Sequence, residues 1–159
     1  RPQHVPMRGR MVIVRFPFGT AVNRTGAMKL SSATLMLNAA LTEAQRLGFS
    51  VCISIVVAAA WPVAFMRMDG APLGVIDVSN KQARTAVLFQ MDSADFAKVA
   101  HPDAGAYTLE NTNGGLTSFG GGLVLRAADG ALVGAIGVSG ASTEDDIAIA
   151  RAAANILTA

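Results

Sequence analysis

Apolar residues recur at helical spacing just after Met28. Ser31 and Ser32 are suitable N-cap residues, and Gly48 supplies the left-handed residue that commonly ends a helix. The pattern between these signals therefore predicts a first helix. Its apolar face is expected to consist of Leu35, Met36, Ala39, Ala40, Ala44 and Leu47.

Two pairs of short β-rich runs predict two hairpins. The first pair, Val51–Val57 and Val63–Met68, is joined by Ala58–Pro62, whose proline suits a turn or the start of a strand. The second pair, Leu123–Arg126 and Ala131–Val138, flanks an Asp-Gly dipeptide, which is a strong hairpin signal.

Three further helices are predicted from periodicity and capping signals. One covers Leu73–Gln90 and carries a stripe of mostly small apolar residues. A shorter one covers Ser93–Ala100 and stops before His101-Pro102, because a residue that precedes proline is disfavoured in helical conformation. The last begins at a cap at Ser142. Glycine and asparagine concentrate between 103 and 121, which predicts loops and turns there.

The order of these elements indicates the fold class. A helix, a hairpin, two helices, a second hairpin and a closing helix predict an α+β domain, with an antiparallel sheet packed between helices. The alternation of strand, helix and parallel strand that builds a dinucleotide-binding fold is missing from the pattern. The glycine-rich segments therefore do not predict a nucleotide site.

Length, composition and charge argue against two classes of partner for the domain. A chain of 159 residues with 52% hydrophobic residues fits one domain. No run approaches the ~20 apolar residues of a membrane span, so a membrane is not an expected partner. The first 27 residues carry five arginines and no acid, whereas the rest carries eight basic against eleven acidic residues. Nucleic acid is not an expected partner either, because the body has no basic cluster.

Residues 1–27 differ from the remainder because proline and glycine punctuate them, which prevents a long helix. Arg15 and Pro17 interrupt the apolar run, so we predict no standard secretory signal and expect a cytoplasmic location. We interpret 1–27 as an extension, native or added, that precedes a domain at 28–159. Its Met11–Phe16 run adds an edge strand or reaches a neighbouring subunit; the alternative is an arm without fixed structure.

Cys52 is the only cysteine, which excludes an intrachain disulfide and a thiolate cluster. Because it lies inside an apolar run, we interpret it as a small buried hydrophobe.

Five segments, in order along the chain, resemble signatures of the GlcG/HbpS family. They are Met68-Asp-Gly-Ala71, Lys81-Gln-Ala-Arg-Thr-Ala86, Asn113-Gly-Gly115, Phe119-Gly-Gly-Gly122 and Gly134-Ala-Ile-Gly-Val-Ser-Gly140. The resemblance also extends to the C-terminal domain of PduO-type proteins. It implies a profilin-like fold with a five-stranded antiparallel sheet, assembly into dimers or larger rings, and ligand binding, with haem as the ligand of some members. The first hairpin turn, Ala58–Pro62, departs from the family's Asp-Ala-Gly-Gly pattern and could place Trp61 at a pocket or a subunit interface.

The resemblance makes a small-ligand-binding domain, with haem or another tetrapyrrole as its ligand, our first hypothesis. His101 is the candidate ligand of the haem iron, because histidine is a common axial ligand, although no family motif maps onto it. Tyr107, Met68 and Met91 are the other possible donors. The other predicted cofactor-binding residues are Asn113, Phe119, Gly120, Gly121, Gly122 and Ser139. The glycines either let a ligand approach the backbone or allow close packing.

Two alternative functions come from other classes. An enzyme could act on a small oxygenated metabolite if Asp69 and Lys81 face a common cleft as catalytic residues. Otherwise they are a turn former and a solvated lysine. The domain could also be an oligomerisation module without a ligand. The low charge content favours a homo-oligomer in each case, because large apolar patches usually mark association.

Overall fold

Residues 27–158 are described by a computed structural model, which contains four α-helices and four β-strands in that range. The predicted strand within Met11–Phe16 lies outside the described residues. In chain order the elements are α1 (Leu30–Leu47), β1 (Cys52–Val57), β2 (Pro62–Arg67), α2 (Gly74–Phe89), α3 (Ser93–Ala100), β3 (Gly122–Arg126), β4 (Leu132–Ser139) and α4 (Thr143–Ala154), with 3-10 turns at Leu109–Asn111 and Asn155–Leu157.

The strands form one antiparallel sheet in the order β2-β1-β4-β3. The two predicted hairpins are present, and β1 joins them by pairing with β4. The expectation of five strands is wrong for residues 27–158, where the sheet has four. The outer edge of β3 is closed by side chains instead. The N–H of Gly122 donates to Ser93 Oγ at 2.9 Å, and that of Val124 donates to Asp92 Oδ1 at 3.0 Å.

Helices α1 and α4 cover one face of the sheet with an apolar core. Alternate residues of the strands point into this core, because successive strand side chains face opposite ways. Met36 of α1 and Ile149 of α4 are fully buried there, together with Ile53 and Ile136 of the central strands. Most of the large aliphatic side chains of the domain therefore lie on this side.

Helix α2 covers the other face through small residues. Ala83 and Ala86 pack with Val56 and Ala135 of the central strands. A β-carbon at Gly137 would lie 2.7 Å from the backbone nitrogen of Ala83 and still closer to the carbonyl oxygen of Ser79. The helix backbone can approach the sheet this closely only because Gly137 has no side chain.

Two of the predicted helix ends agree with the structure, and the predicted start of α1 does not. Ser142 caps α4 as predicted, because its Oγ accepts the N–H of Asp145 at 3.2 Å, and Gly48 ends α1 with a φ of 81°. The cap of α1 is Lys29, however, so Ser31 and Ser32 lie inside the helix. None of the helices between residues 27 and 158 combines the length and apolar character that crossing a bilayer requires.

One predicted core residue of α1 needs correction. Leu35 is 58% exposed, and Ala33 and Leu37 contribute to the buried face of α1 instead. The apolar run around residue 35 is almost continuous, so periodicity alone could not orient the helix. Cys52 is fully buried in β1, as expected, and burial raises the pKa of its thiol.

Candidate functional site

The segment Asn113–Gly121 runs beside α2 and is fastened to it at several points. We call this segment the strap. Gln82 Nε2 donates to the carbonyl oxygen of Gly120 at 2.9 Å, and Thr85 Oγ1 accepts the N–H of Thr117 at 2.9 Å. Further contacts come from Lys81 and Arg84. Successive turns of α2 thus hold a glycine-rich segment that has no regular secondary structure of its own.

Polar side chains are buried between α2, the strap and the sheet. Ser54 of β1 shares a hydrogen bond of 3.0 Å with Ser79 of α2 and donates to Asn80 Oδ1 at 2.9 Å. Two buried atoms in the described residues have no hydrogen-bond partner, namely Gln82 Oε1 and Thr117 Oγ1. An unpaired buried polar atom costs about 1–3 kcal/mol, so this layer carries groups that do not serve stability.

Gly120, Gly121 and Gly122 are buried, and protein atoms fill the space beside them. A β-carbon at Gly120 would contact Ile147, and one at Gly121 would contact the side-chain amide of Gln82. One at Gly122 would contact the carbonyl oxygen of Gln82. Close packing accounts for these glycines in the described structure, whereas their contact with a ligand stays a prediction.

The other predicted cofactor-binding residues differ in accessibility. Phe119 is 43% exposed at the end of the strap, and Asn113 is exposed at its start with a φ of 54°. Ser139 is 5% exposed at the end of β4, where it pairs with Cys52 across the sheet. Phe119 and Asn113 are therefore open to a ligand, and Ser139 is enclosed.

His101 lies immediately after α3 at a surface cavity of about 430 Å³, which Ala97, Lys98, Asp103 and Ala104 also line. Its Nδ1 accepts the N–H of Asp103 at 3.3 Å and lies 3.8 Å from the carboxylate of the same residue. The side chain is 63% exposed. This geometry leaves Nε2 available toward solvent.

Asp69 and Lys81 are not joined by a hydrogen bond or an ion pair within residues 27–158. Asp69 is exposed in a groove of about 330 Å³ that α1 residues Leu41 and Gln45 line. Lys81 stands on α2, on the opposite side of the sheet, where its Nζ lies 2.8 Å from Asp77 Oδ2. A common cleft for the two residues stays a prediction without a supporting contact.

Sequence reasoning missed Gln82, Thr85 and Thr117 as parts of the polar layer. A signal for two of them was present, because Ser79, Gln82 and Thr85 recur every three residues and so share one helix face. Nothing local marks Thr117, since its burial depends on where the strap contacts α2. Asp146, 4% exposed in α4, was also missed. Burial raises the pKa of its carboxyl to about 6, although the backbone N–H groups of Ala141 and Gly140 oppose the shift.

Comparisons with known proteins give relatives for this architecture. Corrinoid adenosyltransferase PduO of Salmonella typhimurium is 37% identical over 119 residues, which are 74% of this chain and 35% of that protein. This chain therefore spans about a third of that relative. The solved structure of a PduOC:haem complex superposes with a TM-score of 0.77 at 34% identity, covering 82% of this chain and 94% of that one.

A double mutant of Streptomyces reticuli HbpS superposes with a TM-score of 0.76 at 29% identity, covering 98% of this chain and 99% of that one. The family model described as "Haem degrading protein HbpS-like" matches residues 28–155, which include every helix and strand described above. The chain therefore belongs to the HbpS-like family.

Proposed function

We propose that this chain is a domain that binds haem or a closely related tetrapyrrole. The observation that carries the proposal is the similarity to PduOC, whose structure was solved as a haem complex. The family description adds support, because it names haem as the molecule on which relatives act. The profilin-like description of the fold belongs to the same proposal, since it came with the resemblance.

We propose His101 as the ligand of the haem iron. It is the one histidine between residues 27 and 158, and an imidazole is a common axial ligand. The surroundings suit the role, because the cavity beside His101 is open and has an apolar wall at Ala97 and Ala104. Nε2 of His101 makes no hydrogen bond among residues 27–158 and is the ring nitrogen that is open to a metal ion, since Nδ1 accepts the N–H of Asp103.

Haemin titration followed by the Soret band tests the two parts separately. Wild-type protein is expected to shift the band of haemin. His101→Ala should change the position of the bound band, because the ligand field at the iron changes. Tyr107→Phe is the matched control, since it removes another donor from the same exposed loop. No shift with wild type contradicts haem binding, whereas identical wild-type and His101→Ala spectra contradict the ligand assignment alone.

Self-association is the second part of the proposal. Trp61 is 70% exposed and Phe65 43% exposed on the edge strand β2 and the turn before it, so a large aromatic surface faces solvent in the single chain. Burial of this surface between copies would stabilise a homo-oligomer. Light scattering at micromolar concentration should give a mass above that of the 16.4 kDa chain, and a monomer mass contradicts the proposal.

A further inference from the structure

The start of the strap lies against two cationic side chains of α2. Arg84 Nη2 donates to the carbonyl oxygen of Asn113 at 3.4 Å. A β-carbon at Gly115 would lie 3.1 Å from Lys81 Nζ, so the ammonium group is next to this glycine. The two cations are three residues apart on the helix and therefore project from neighbouring positions toward the same loop.

Two backbone N–H groups of this loop have no hydrogen-bond partner among residues 27–158. Asn113, Gly114 and Gly115 have φ values of 54°, 75° and 97°, so three successive residues adopt left-handed conformations. The N–H of Gly115 donates to the carbonyl oxygen of Thr112. Those of Asn113 and Gly114 make no hydrogen bond among residues 27–158, and both residues are exposed. Adjacent free N–H groups of this kind suit an anionic oxygen.

The cationic side chains of α2 beside this loop retain N–H donors for a ligand. Lys81 carries three N–H donors, and its one ion pair, with Asp77, leaves two of them free. The Lys81 side chain is 35% exposed, so a solute can reach it. The acid on the neighbouring turn, Glu110, has its carboxylate engaged by the hydroxyl of Ser118. Arg84 adds a planar group that matches the two oxygens of a carboxylate.

We propose that Lys81, Arg84 and the loop Asn113–Gly115 form a carboxylate-binding subsite that holds a propionate of the tetrapyrrole. The assignment rests on the proposed haem binding, but it is independent of which residue ligates the iron. A carboxylate there would receive charge-assisted hydrogen bonds from an ammonium, a guanidinium and backbone N–H groups. Lys81 then contacts the ligand as a binding residue, without a partner role for Asp69.

The test compares haemin with haemin dimethyl ester, whose propionates carry no charge. Lys81→Gln and Arg84→Gln should each weaken haemin binding about tenfold, the effect of losing one charge-assisted hydrogen bond. Neither variant should change the affinity for the ester. Lys81→Arg should retain most of the affinity, because it keeps the charge. Arg151→Gln, exposed on α4 and on the other side of the sheet, is the matched control and should not change either affinity.

Three results overturn the assignment. The first is unchanged haemin affinity in both Gln variants while wild type binds, and the second is an equal loss for haemin and its ester. The third is a charge-dependent loss in Lys98→Gln alone, which would locate the propionate at the cavity beside His101. Wild-type protein that binds neither compound contradicts the proposed function itself, so the two failures are distinguishable.

Discussion

Helices α1 and α4 cover their face of the sheet with alanines and with the large apolar side chains of Met36, Leu37 and Ile149. Helix α2 covers the opposite face with alanines and with the polar side chains of Ser79, Gln82 and Thr85. Seven of the eight buried polar residues between 27 and 158 lie on the α2 side or beneath the strap and α3, namely Ser54, Ser79, Gln82, Thr85, Ser93, Thr117 and Ser139. The eighth is Asp146 of α4.

The two faces of the sheet therefore have different roles. The face under α1 and α4 contributes most of the stability, and the face under α2 carries the candidate site. Burial of large aliphatic groups is the dominant favourable contribution to folding, and it is concentrated under α1 and α4. The α2 side buries polar groups, and two of their atoms lack a hydrogen-bond partner. This side also positions the strap and Lys81. Added side-chain volume should therefore destabilise the α2 face most, whereas removed side-chain volume should destabilise the face under α1 and α4 most.

Adding one methyl group on the α2 side should have the largest effect on the free energy of unfolding. In Gly137→Ala the new β-carbon meets the backbone of α2 at Ser79 and Ala83, which cannot move as a side chain can. We expect a loss of about 4 kcal/mol in the free energy of unfolding, which is above the ~1–3 kcal/mol typical of overpacking, because the obstructing atoms belong to a helix backbone. Urea denaturation measures it. Gly74→Ala, with open space around it in α2, should cost nothing, and equal losses in both variants would contradict the packing argument.

Removing side-chain volume under α1 should lower the free energy of unfolding somewhat less. Met36 is fully buried under α1, so Met36→Ala is expected to lower the free energy of unfolding by about 3 kcal/mol through lost burial and a cavity. Met36→Leu conserves volume and should cost less than about 1.5 kcal/mol. The same urea experiment compares them. A Leu variant as unstable as the Ala variant would mean that shape, rather than volume, controls this face.

Asp146 is the exception on the apolar side, and its pKa predicts a pH dependence. Burial raises the pKa of its carboxyl from 3.8 to about 6, so the folded state binds the proton more tightly than the unfolded state does. The stabilisation is complete below pH 3.8 and is lost as the pH rises through 6, and it amounts to about 3 kcal/mol. Asp146→Asn should therefore be more stable than wild type at pH 7, since its amide oxygen can still accept the N–H of Ala141.

The difference in unfolding free energy between wild type and Asp146→Asn should grow from pH 4 to pH 7. Glu144→Gln is the control, because it removes an exposed carboxylate from the same helical turn. A wild-type protein that gains stability relative to Asp146→Asn as the pH rises would show that the buried carboxylate is stabilised by its hydrogen bonds, and would contradict the raised pKa.

Removing the unpaired hydroxyl on the α2 side should have the smallest effect. Thr117→Val replaces a buried hydroxyl without a partner by a methyl group of similar size. We expect a stability gain of up to about 1 kcal/mol in urea denaturation, because the desolvation cost disappears. Thr85→Val is the contrast, since Thr85 Oγ1 accepts the N–H of Thr117 and its removal should destabilise. A loss in Thr117→Val would show that its hydroxyl has a structural partner.

Local signals predicted most of the fold. Periodicity, Gly48, Ser142 and the Asp129-Gly130 turn located the helices and both hairpins to within a residue or two, because each signal acts between neighbours in the chain. The number of strands was overestimated for residues 27–158, since the expectation of five came from a resemblance and not from a local pattern. Asp92 and Ser93 close the outer edge of β3, although they precede the strand by some thirty residues.

The sequence by itself determined the elements, the antiparallel class of the sheet and the family, because motifs and periodicities are properties of short stretches. The tertiary structure decided which side of each element is buried and which distant residues meet. It placed Asp69 in a groove beside α1, set Lys81 beside Gly115, and brought Gly137 into close contact with the backbone of α2. These relations depend on how helices cross the sheet, and the packing of the whole domain sets that crossing.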